Sequence, residues 1–461
     1  MRAKLDDSFD GVQVHVIGLG SYGTGRAIAR ALFQRGAKVT VSDIKPAGEL
    51  TTEIERLKDT GVTILTGGDA YRGIEEAELV VPSPGVPLGI PPLLRAREHG
   101  AKIVSDIEIA FLIAPCPIIA ITGTKGKTTT AALLGELLKD AGKHALVGGN
   151  IGIPLVELAE VALPDDLLVA EVSSFQLEAV KVFRPWVAVL LNVFADHLDR
   201  HETMAAYREA KARIFANQEP DDTAILNRDD PGAWEMRGII RARALPFSIR
   251  QAEPAGADVA DGWLRVRGQP VCPVTAVRLR GRHNLSNVLA ALAAARAAGA
   301  GLERAAETLS RFTGIEHRLE TAGTVRGVLF VNDSQATTPL ATLAALESFE
   351  GRVILIAGGR SKGDGFGELA QAAARRGASL VLIGEAAEDI AMAAQAAGVH
   401  HIARAAALPE AVRLAFAQAK PGEVVLLSPA CASFDMFKSM AERGRIFKET
   451  VRALSEQEGE Q

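Results

Sequence analysis

A glycine-rich turn that ends in a lysine and a threonine is the stretch of this sequence best suited to chemistry on phosphates. It comprises Gly123, Thr124, Lys125, Gly126, Lys127, Thr128 and Thr129, after the apolar run Ile118–Thr122. Backbone amides and the start of the following helix favour phosphate oxygens, the lysine can neutralise β/γ charge, and the threonine hydroxyl can hold Mg²⁺. The complete phosphate-loop spacing requires a further glycine where Ile121 stands, so the match is partial.

A second glycine turn lies near the start of the chain. It runs from Gly18 to Gly23 as GLGSYG, between an apolar run and a helical pattern, and Asp43 lies 20 residues beyond it. This is the dinucleotide fingerprint, in which glycines let the backbone approach a pyrophosphate and the acid binds a ribose. The pattern fits NAD or another pyrophosphate-bridged nucleotide such as a UDP-sugar, and a tight turn without any ligand is the alternative.

Two different glycine loops predict two phosphate-bearing ligands. A hydride-transfer enzyme has little use for the loop around Lys127, whereas a kinase or an ATP-driven ligase needs it. The loop around Lys127 therefore disfavours an NAD-dependent oxidoreductase built on Gly18–Asp43.

Other polar groups follow predicted strands. Glu171 ends one strand, where a Mg²⁺-organising carboxylate belongs, and His197 lies in the Asp- and His-rich segment after another. Lys211 lies in the helical pattern Tyr207–Phe215, where a lysine by itself is ordinarily a solvated surface residue. Asn284 and Asn287 open a helix that they could cap, or they could contact a purine edge.

The composition narrows the class of protein. The 461 residues carry a net charge of −5 with a pI near 6.1, which lacks the basic footprint of a nucleic-acid binder. Three scattered cysteines do not make a disulfide framework or a cysteine zinc site. With no signal-peptide h-region and no long apolar stretch, we expect a soluble, cytoplasmic protein without membrane insertion.

The elements that must position these groups alternate as strand and helix along the chain. This rhythm predicts an α/β protein with mostly parallel sheets. Boundaries near 105 and 314 divide it into domains 1–105, 106–314 and 315–461. In the second domain, Trp263–Val266 and Val274–Leu279 look like short β-strands. In the third, three loops follow strands and so line a crevice, at 332–338, 358–363 and 428–433.

The ordered motifs of the whole chain resemble those of the Mur ligase family. They are GLGSYG, SPGVP, TGTKGKTTT, GGNIG, EVSSFQLE, DHLDRH, HNLSN, EHRLE, NDSQATT, GGRSKG and SPACAS. The resemblance implies a Rossmann-like N-terminal domain, a central P-loop ATPase domain and a Rossmann-like C-terminal domain, in a monomer. It also implies that ATP phosphorylates the carboxylate of UDP-N-acetylmuramoyl-L-alanine, and that the amine of glutamate then displaces phosphate.

The resemblance assigns roles by position. It implies catalytic roles for Lys127, Glu171, His197 and Lys211, and Mg²⁺ binding by Thr128, Glu171, His197 and a carbamylated Lys211. The implied ATP-binding residues are Gly123, Thr124, Lys125, Gly126, Lys127, Thr128, Thr129, Asn284, Asn287, Arg318 and Asp333. Those for the UDP-sugar are Ser21, Tyr22, Asp43, Lys45, Gly85 and Asn150, and those for glutamate are Thr337, Lys362 and Ser433.

Four positions depart from the family pattern. Lys125 replaces the usual Asn of the phosphate loop, Gln335 replaces a lysine, Thr338 replaces an Asn, and Met440 stands where an aromatic residue often packs on glutamate. The resemblance implies D-glutamate as the amino acid. A branch of the family adds L-glutamate, and SQATTP resembles the loop of that branch, so L-glutamate is the alternative.

Two further functions compete with these. A folylpolyglutamate-type ligase shares the ATPase and C-terminal domains but lacks the GLGSYG unit. A non-catalytic nucleotide-binding protein would not need the retained Lys127, Glu171, His197 and Lys211.

Overall fold

The structure is a computed structural model that describes residues 9–459 except 20–22, 59, 151, 280, 350 and 362–364. Its strands are Gln13–Ile17 (β1), Lys38–Asp43 (β2), Thr63–Thr66 (β3), Leu79–Pro82 (β4), Lys102–Ile103 (β5), Ile118–Thr122 (β6), Ala145–Gly149 (β7), Leu167–Glu171 (β8), Val187–Leu190 (β9), Thr223–Asn227 (β10), Arg243–Ser248 (β11), Ala257–Ala260 (β12), Trp263–Val266 (β13), Gln269–Pro273 (β14), Glu320–Val325 (β15), Val328–Asn332 (β16), Val353–Gly358 (β17), Ser379–Ile383 (β18), Ile402–Arg404 (β19) and Val424–Leu427 (β20).

Its α-helices are Thr24–Phe33 (α1), Thr51–Glu55 (α2), Pro91–Glu98 (α3), Asp106–Ile113 (α4), Lys127–Asp140 (α5), Leu155–Val161 (α6), Ser174–Leu177 (α7), Leu198–His201 (α8), Met204–Ala212 (α9), Pro231–Trp234 (α10), Arg282–Ala297 (α11), Ala305–Arg311 (α12), Pro339–Glu347 (α13), Gly367–Arg375 (α14), Ala387–Ala396 (α15), Leu408–Gln418 (α16) and Met440–Gly459 (α17). The chain forms two compact units, 1–312 and 313–461.

The first unit contains two sheets. One has the order β3-β2-β1-β4-β5, and all its pairs are parallel. Its strand order reverses beside β1, and ligands of open α/β sheets bind at such a switch point. The loop that begins at Gly18 leaves β1 there, and Asp43 ends the neighbouring β2.

The other sheet of this unit has the order β14-β13-β12-β11-β10-β9-β6-β8-β7. Its pairs from β7 to β12 are parallel, and β13 and β14 extend it as antiparallel strands. The strand before the phosphate loop, β6, lies between β8 and β9, so the loop leaves the middle of the sheet. The carboxyl ends of β6, β8 and β9 are neighbours there.

Helices cover both faces of this second sheet. Leu133 and Leu137 of α5 and Leu292 of α11 pack on one face, while Leu155 and Ile107 belong to the core on the other. All five residues of β6 and of β8 are buried. Burial on both faces explains why these strands are continuous apolar runs and do not alternate with polar residues.

The second unit contains a sheet of order β15-β16-β20-β17-β18-β19. The pair β15 and β16 is antiparallel, and the other pairs are parallel. The predicted α/β class with three mostly parallel sheets is confirmed. The predicted domain boundaries near 105 and 314 stay predictions.

One predicted strand is wrong. The segment after Pro273 forms a 3₁₀ turn at Val274–Ala276 where we expected a strand to Leu279. The N–H of Val274 still donates to the carbonyl of Gly262 at 2.8 Å, but the N–H of Val277 donates back to the carbonyl of Val274 at 3.0 Å, so the backbone turns after β14. None of the helices that the structure describes is long and apolar enough to cross a membrane.

A buried carboxylate anchors α4 beneath the second sheet. Glu108 is 1% exposed, and it accepts backbone hydrogen bonds from Lys181 (3.0 Å), Val182 (2.7 Å) and Phe183 (2.9 Å). Burial raises the pKa of Glu108, while the three N–H donors oppose that rise. The helix is therefore attached to the loop before β9 by one side chain.

We expect Glu108→Gln to destabilise the first unit by about 1–3 kcal/mol, because an amide nitrogen would face a backbone N–H and leave a buried donor unsatisfied. Urea unfolding followed by far-UV circular dichroism measures the change. Glu98→Gln, at an exposed position on α3, is the matched control and should leave the transition unchanged. A transition for Glu108→Gln equal to that of the control would contradict this account of α4.

Candidate active site

The phosphate loop closes tightly against helix α11. Gly126, which precedes α5, has a φ of 91°, a conformation that favours glycine. A Cβ atom at this position would lie 2.3 Å from Oδ1 of Asn287. Asn287 is buried, and its Nδ2 donates to Oδ1 of Asn284 at 3.0 Å. The structure thus brings both predicted asparagines to the loop through this contact with Asn287.

Two lysine side chains converge on one carbonyl of the loop. Nζ of Lys127 donates to the carbonyl oxygens of Gly123 (2.9 Å) and Thr124 (3.1 Å). Nζ of Lys211 donates to the same Gly123 oxygen at 3.0 Å. Lys127 and the positive end of α5 make this a positively charged point, and a second charged lysine there would repel the first. An anionic group is the complement of such a point.

Lys211 is buried, contrary to what a helical lysine alone would predict. It is 1% exposed, and its Nζ lies 4.6 Å from the centroid of the Tyr207 ring. Burial, and then the charge of Lys127, lower the pKa of Lys211 well below its ordinary value, while Asp196 opposes the shift. The geometry therefore favours a neutral amine at this position.

The sequence interpretation missed Tyr207. Its hydroxyl donates to Oγ1 of Thr124 at 3.2 Å, and burial raises its pKa. The same Thr124 Oγ1 accepts from the backbone N–H of Phe194 at 3.2 Å. Tyr207 precedes Lys211 by one helical turn, and this i, i+4 spacing was the available signal.

Glu171 lies beside the strand that leads into the loop. In the register of β6 and β8 it pairs with Ile121. Its Oε1 accepts from Nδ2 of Asn150 at 3.1 Å, and its carbonyl accepts from the N–H of Asn150 at 2.9 Å. Its other oxygen, Oε2, is buried without a hydrogen-bond partner among the described residues. A buried carboxylate oxygen without a hydrogen-bond partner can accept from a ligand donor or bind a cation.

His197 and His201 have different surroundings. His197 has a φ of 52°, and its half-exposed ring lies 5.0 Å from Phe175. The ring of His201 is buried, stacks on Phe175 at 5.4 Å and shares a hydrogen bond of 3.0 Å with Oγ of Ser174. Of the two, His197 is the histidine that can meet a ligand.

The described part of the chain holds no group of three His, Cys, Asp or Glu side chains that could bind a metal by themselves. The predicted metal-binding set of Thr128, Glu171, His197 and Lys211 contains only two residues of these types, so it stays a prediction. A Mg²⁺ ion here would need oxygen ligands from water and a phosphate, which is how this ion is usually held.

The predicted UDP-sugar residues are partly described. Oδ2 of Asp43 accepts from the N–H of Leu19 and Oδ1 from the N–H of Lys45, both at 3.0 Å. Lys45 and Gly85 are exposed. Ser21 and Tyr22 lie outside the described residues. Asp43 therefore also fixes the backbone at Leu19, next to Gly18, a structural role that the fingerprint alone does not show.

The second unit gathers its predicted residues at the ends of β16 and β20. Asp333 is buried and accepts from Oγ of Ser428 (2.8 Å) and from the N–H of Leu319 (3.1 Å). Burial raises its pKa to about 6, against those hydrogen bonds and the charge of Arg318. Ser433 is buried, and Thr337 is half-buried in the loop after β16. Lys362 lies outside the described residues.

A buried arginine that sequence reasoning missed joins these two loops. Arg443 of α17 is 0% exposed, and it donates to Oγ (2.9 Å) and O (2.9 Å) of Ser334 and to the carbonyl of Cys431 (3.1 Å). Cys431 is a buried free thiol. The loops after β16 and β20 therefore share one cation.

Comparison with known proteins identifies the class. The description "Mur ligase MurD-like, N-terminal domain" matches residues 12–105, "Mur ligase middle domain" matches 121–295, and "Mur ligase, glutamate ligase domain" matches 317–431. The chain belongs to the Mur ligase family, as its motifs predicted.

Individual relatives are similar over nearly the whole chain. The UDP-N-acetylmuramoylalanine–D-glutamate ligase of Pelotomaculum thermopropionicum is 47% identical over 96% of this chain and 98% of the relative. The enzyme of the same name from Koribacter versatilis is 44% identical over 97% and 99%. The solved UDP-N-acetylmuramate–alanine ligase of Thermotoga maritima has a TM-score of 0.55 at 20% identity over 96% and 99%, which shows the fold alone.

We expect Lys211→Met to raise the free energy of unfolding at pH 7 by about 1–3 kcal/mol, because an apolar chain of similar length replaces a buried ammonium group. Because the pKa of Lys211 is lowered in the folded protein, the stability difference between the variant and wild type should depend on pH. The free energy of unfolding of the wild-type protein rises as pH approaches the ordinary lysine pKa. The difference between Lys211→Met and wild type should therefore become smaller at higher pH.

Urea unfolding of the nucleotide-free protein in bicarbonate-free buffer, from pH 7 to 9.5, measures both effects. Lys139→Met, at an exposed position on α5, is the control and should show neither. A Lys211→Met protein that is less stable than wild type at pH 7 would show that the buried lysine is a net stabilising group.

Proposed function

We propose that this chain is an ATP-dependent ligase that joins D-glutamate to UDP-N-acetylmuramoyl-L-alanine in peptidoglycan precursor synthesis. The observation that carries the proposal is the pair of lysine side chains on the Gly123 carbonyl, at the start of a helix in a Mur ligase fold. Relatives that bear this enzyme name are 40–47% identical over almost the full chain, which supports the same substrates.

The chemistry requires activation of a poor electrophile. A carboxylate oxygen of the UDP-sugar substrate attacks the γ-phosphorus of ATP, and the bond from that phosphorus to the β-bridging oxygen breaks to release ADP. The amine of glutamate, having lost a proton, then attacks the acyl carbon and expels phosphate. Positioning and charge neutralisation do most of the work in phosphoryl transfer.

Lys127 supplies the neutralising charge in this scheme. Its Nζ rests on the carbonyls of Gly123 and Thr124, and it would exchange these acceptors for phosphate oxygens. The amides of the loop and the positive end of α5 add to the same field. Asn284 and Asn287 flank the loop, which is consistent with a contact to the nucleotide.

The site fits Mg²⁺ as the cofactor. The orphaned Oε2 of Glu171 and the hydroxyl of Thr128 are oxygen donors of the kind that this ion prefers. When bound, Mg²⁺ would neutralise charge on the phosphates. His197 is half-exposed, which leaves its ring accessible to a ligand.

Lys211 fits the carbamate that the family resemblance implies. Only a neutral amine adds CO₂, forming an N–C bond with loss of one proton, and burial already disfavours the ammonium form. The product is an anion, which would relieve the repulsion between Lys211 and Lys127 and support a cation. We assign Lys211 this role.

The amino acid is recognised in the second unit. Thr337, Lys362 and Ser433 are the glutamate-binding candidates, and Arg318 and Asp333 are the candidates for ATP. Gln335 stands where the family usually has a lysine, and this substitution favours L-glutamate as the second candidate substrate.

Because the reaction consumes ATP and a nucleotide-activated sugar, we place it in the cytoplasm.

Purified protein given UDP-N-acetylmuramoyl-L-alanine, ATP and Mg²⁺ should release phosphate with D-glutamate and not with L-glutamate. The site that orders the α-carboxylate and amine of one enantiomer misplaces the amine of the other. A coupled phosphate assay measures release, and mass spectrometry of the product confirms the added residue. Chelation of Mg²⁺ should stop both signals.

The enantiomer assay has three informative outcomes. Release with L-glutamate alone would replace the proposed substrate by the second candidate. Release with neither enantiomer would contradict the ligase assignment. Release that depends on a dihydrofolate-type acceptor would favour the folylpolyglutamate alternative.

We expect Lys127→Ala to lose phosphate release by at least about 100-fold, because the variant lacks the cation that neutralises the transferred phosphoryl group. UDP-sugar binding should persist, because the glycine loop that begins at Gly18 belongs to the other sheet. Steady-state kinetics and isothermal titration with the UDP-sugar measure the two effects. Lys143→Ala, at an exposed position after α5, is the control. Turnover of Lys127→Ala at the control rate would refute the phosphate role.

A further inference from the structure

Arg200 connects the two sheets of the first unit beside the candidate site. Its Nη2 donates to the carbonyl of Val86 at 3.1 Å and to Oε2 of Glu178 at 2.7 Å, and its Nη1 reaches the carbonyl of Gly85 at 3.5 Å. Its side chain is 15% exposed. The carbonyls of Val86 and Gly85 belong to the loop after β4 of the first sheet. Glu178 follows α7, a helix beside the second sheet.

The same arginine is coupled to the segment of His197. Its guanidinium lies 4.9 Å from the centroid of the Phe175 ring, and that ring lies 5.0 Å from the ring of His197. The backbone N–H of Arg200 also donates to the carbonyl of His197 at 3.1 Å. A displacement of Arg200 would therefore move His197 as well as the loop.

The loop is held to the first sheet at its base, whereas Arg200 holds its tip to the second sheet. Gly85, Pro87 and Gly89 are exposed, and the segment 82–92 is rich in proline and glycine. Ser83 donates through its N–H to the carbonyl of Ile17 (2.8 Å) and through Oγ to that of Gly18 (3.0 Å), and Val86 packs on the core of the first sheet. Two carbonyls at the loop tip accept from Arg200, so the guanidinium is the group that ties the tip to the second sheet.

We propose that Arg200 is a positioning residue that fixes the loop 83–88 relative to the His197 segment. In this position the loop would hold the carboxylate of the UDP-sugar next to the phosphate loop. The proposal rests on the proposed function for its substrate. A planar guanidinium reaches three acceptors at once and also stacks on a ring, and a lysine ammonium does not reproduce this arrangement.

The test compares Arg200→Ala and Arg200→Lys with wild type in two measurements. In steady-state kinetics, we expect kcat/KM for the UDP-sugar to fall by about 10- to 100-fold in both variants, with the KM for ATP at the wild-type value. In hydrogen–deuterium exchange of the ligand-free protein, peptides that contain the Val86 amide should exchange faster, while peptides from β6 and β8 should not change.

Arg208→Ala is the matched control, because Arg208 pairs with Glu235 at the surface of the next helix. It should leave kinetics and exchange unchanged. Wild-type behaviour of Arg200→Ala in both measurements would overturn the proposal. Wild-type kinetics of Arg200→Lys would also overturn it, because charge alone would then suffice. An equal fall of kcat/KM for ATP and for the UDP-sugar, with faster exchange throughout the unit, would overturn it as well.

Failure of the proposed function would look different. Wild-type protein without ligase turnover would remove the substrate assignment but leave the exchange measurement intact. Faster exchange at Val86 in Arg200→Ala would then still support the lock between loop and His197 segment, and unchanged exchange would overturn it.

Discussion

The carbonyl oxygen of Gly123 is the point on which the first unit depends. Lys127 and Lys211 both donate to it, one from the helix that the loop begins and one from a helix 84 residues further along the chain. Burial of Lys211 and the charge of Lys127 favour a neutral amine at Lys211, so the site does not hold two cations. Tyr207, Thr124 and the closed loop supply that burial.

The sheet explains why such distant residues meet. Because β6 lies between β8 and β9, the loop after β6, Glu171 and the segment of His197 all emerge at neighbouring carboxyl ends. Parallel strands direct their carboxyl ends to one edge, so ligands collect there. The second unit repeats this arrangement with β16 and β20, whose following loops share the buried Arg443.

Much of the fold and part of the site could be predicted. The apolar run before Gly123 predicted a strand because burial on both faces leaves no room for polar alternation, whereas the run before Gly18 forms a strand that includes Gln13 and His15. The strand expected at Val274–Leu279 was wrong because the apolar pattern does not show that Val277 donates to Val274 in a 3₁₀ turn. Lys211 was misjudged from its helix alone, since amphipathic spacing does not reveal which helix face a sheet edge will cover.

The sequence by itself determined the class of each element, the two glycine loops and the family, because these depend on residue type and short spacing. Only the tertiary structure decided that Lys211 is buried against Lys127, that Oε2 of Glu171 has no described partner, and that Arg200 joins two sheets. Burial and long-range hydrogen bonds depend on which surfaces pack together. That is a property of the folded chain, and no short stretch of residues contains it.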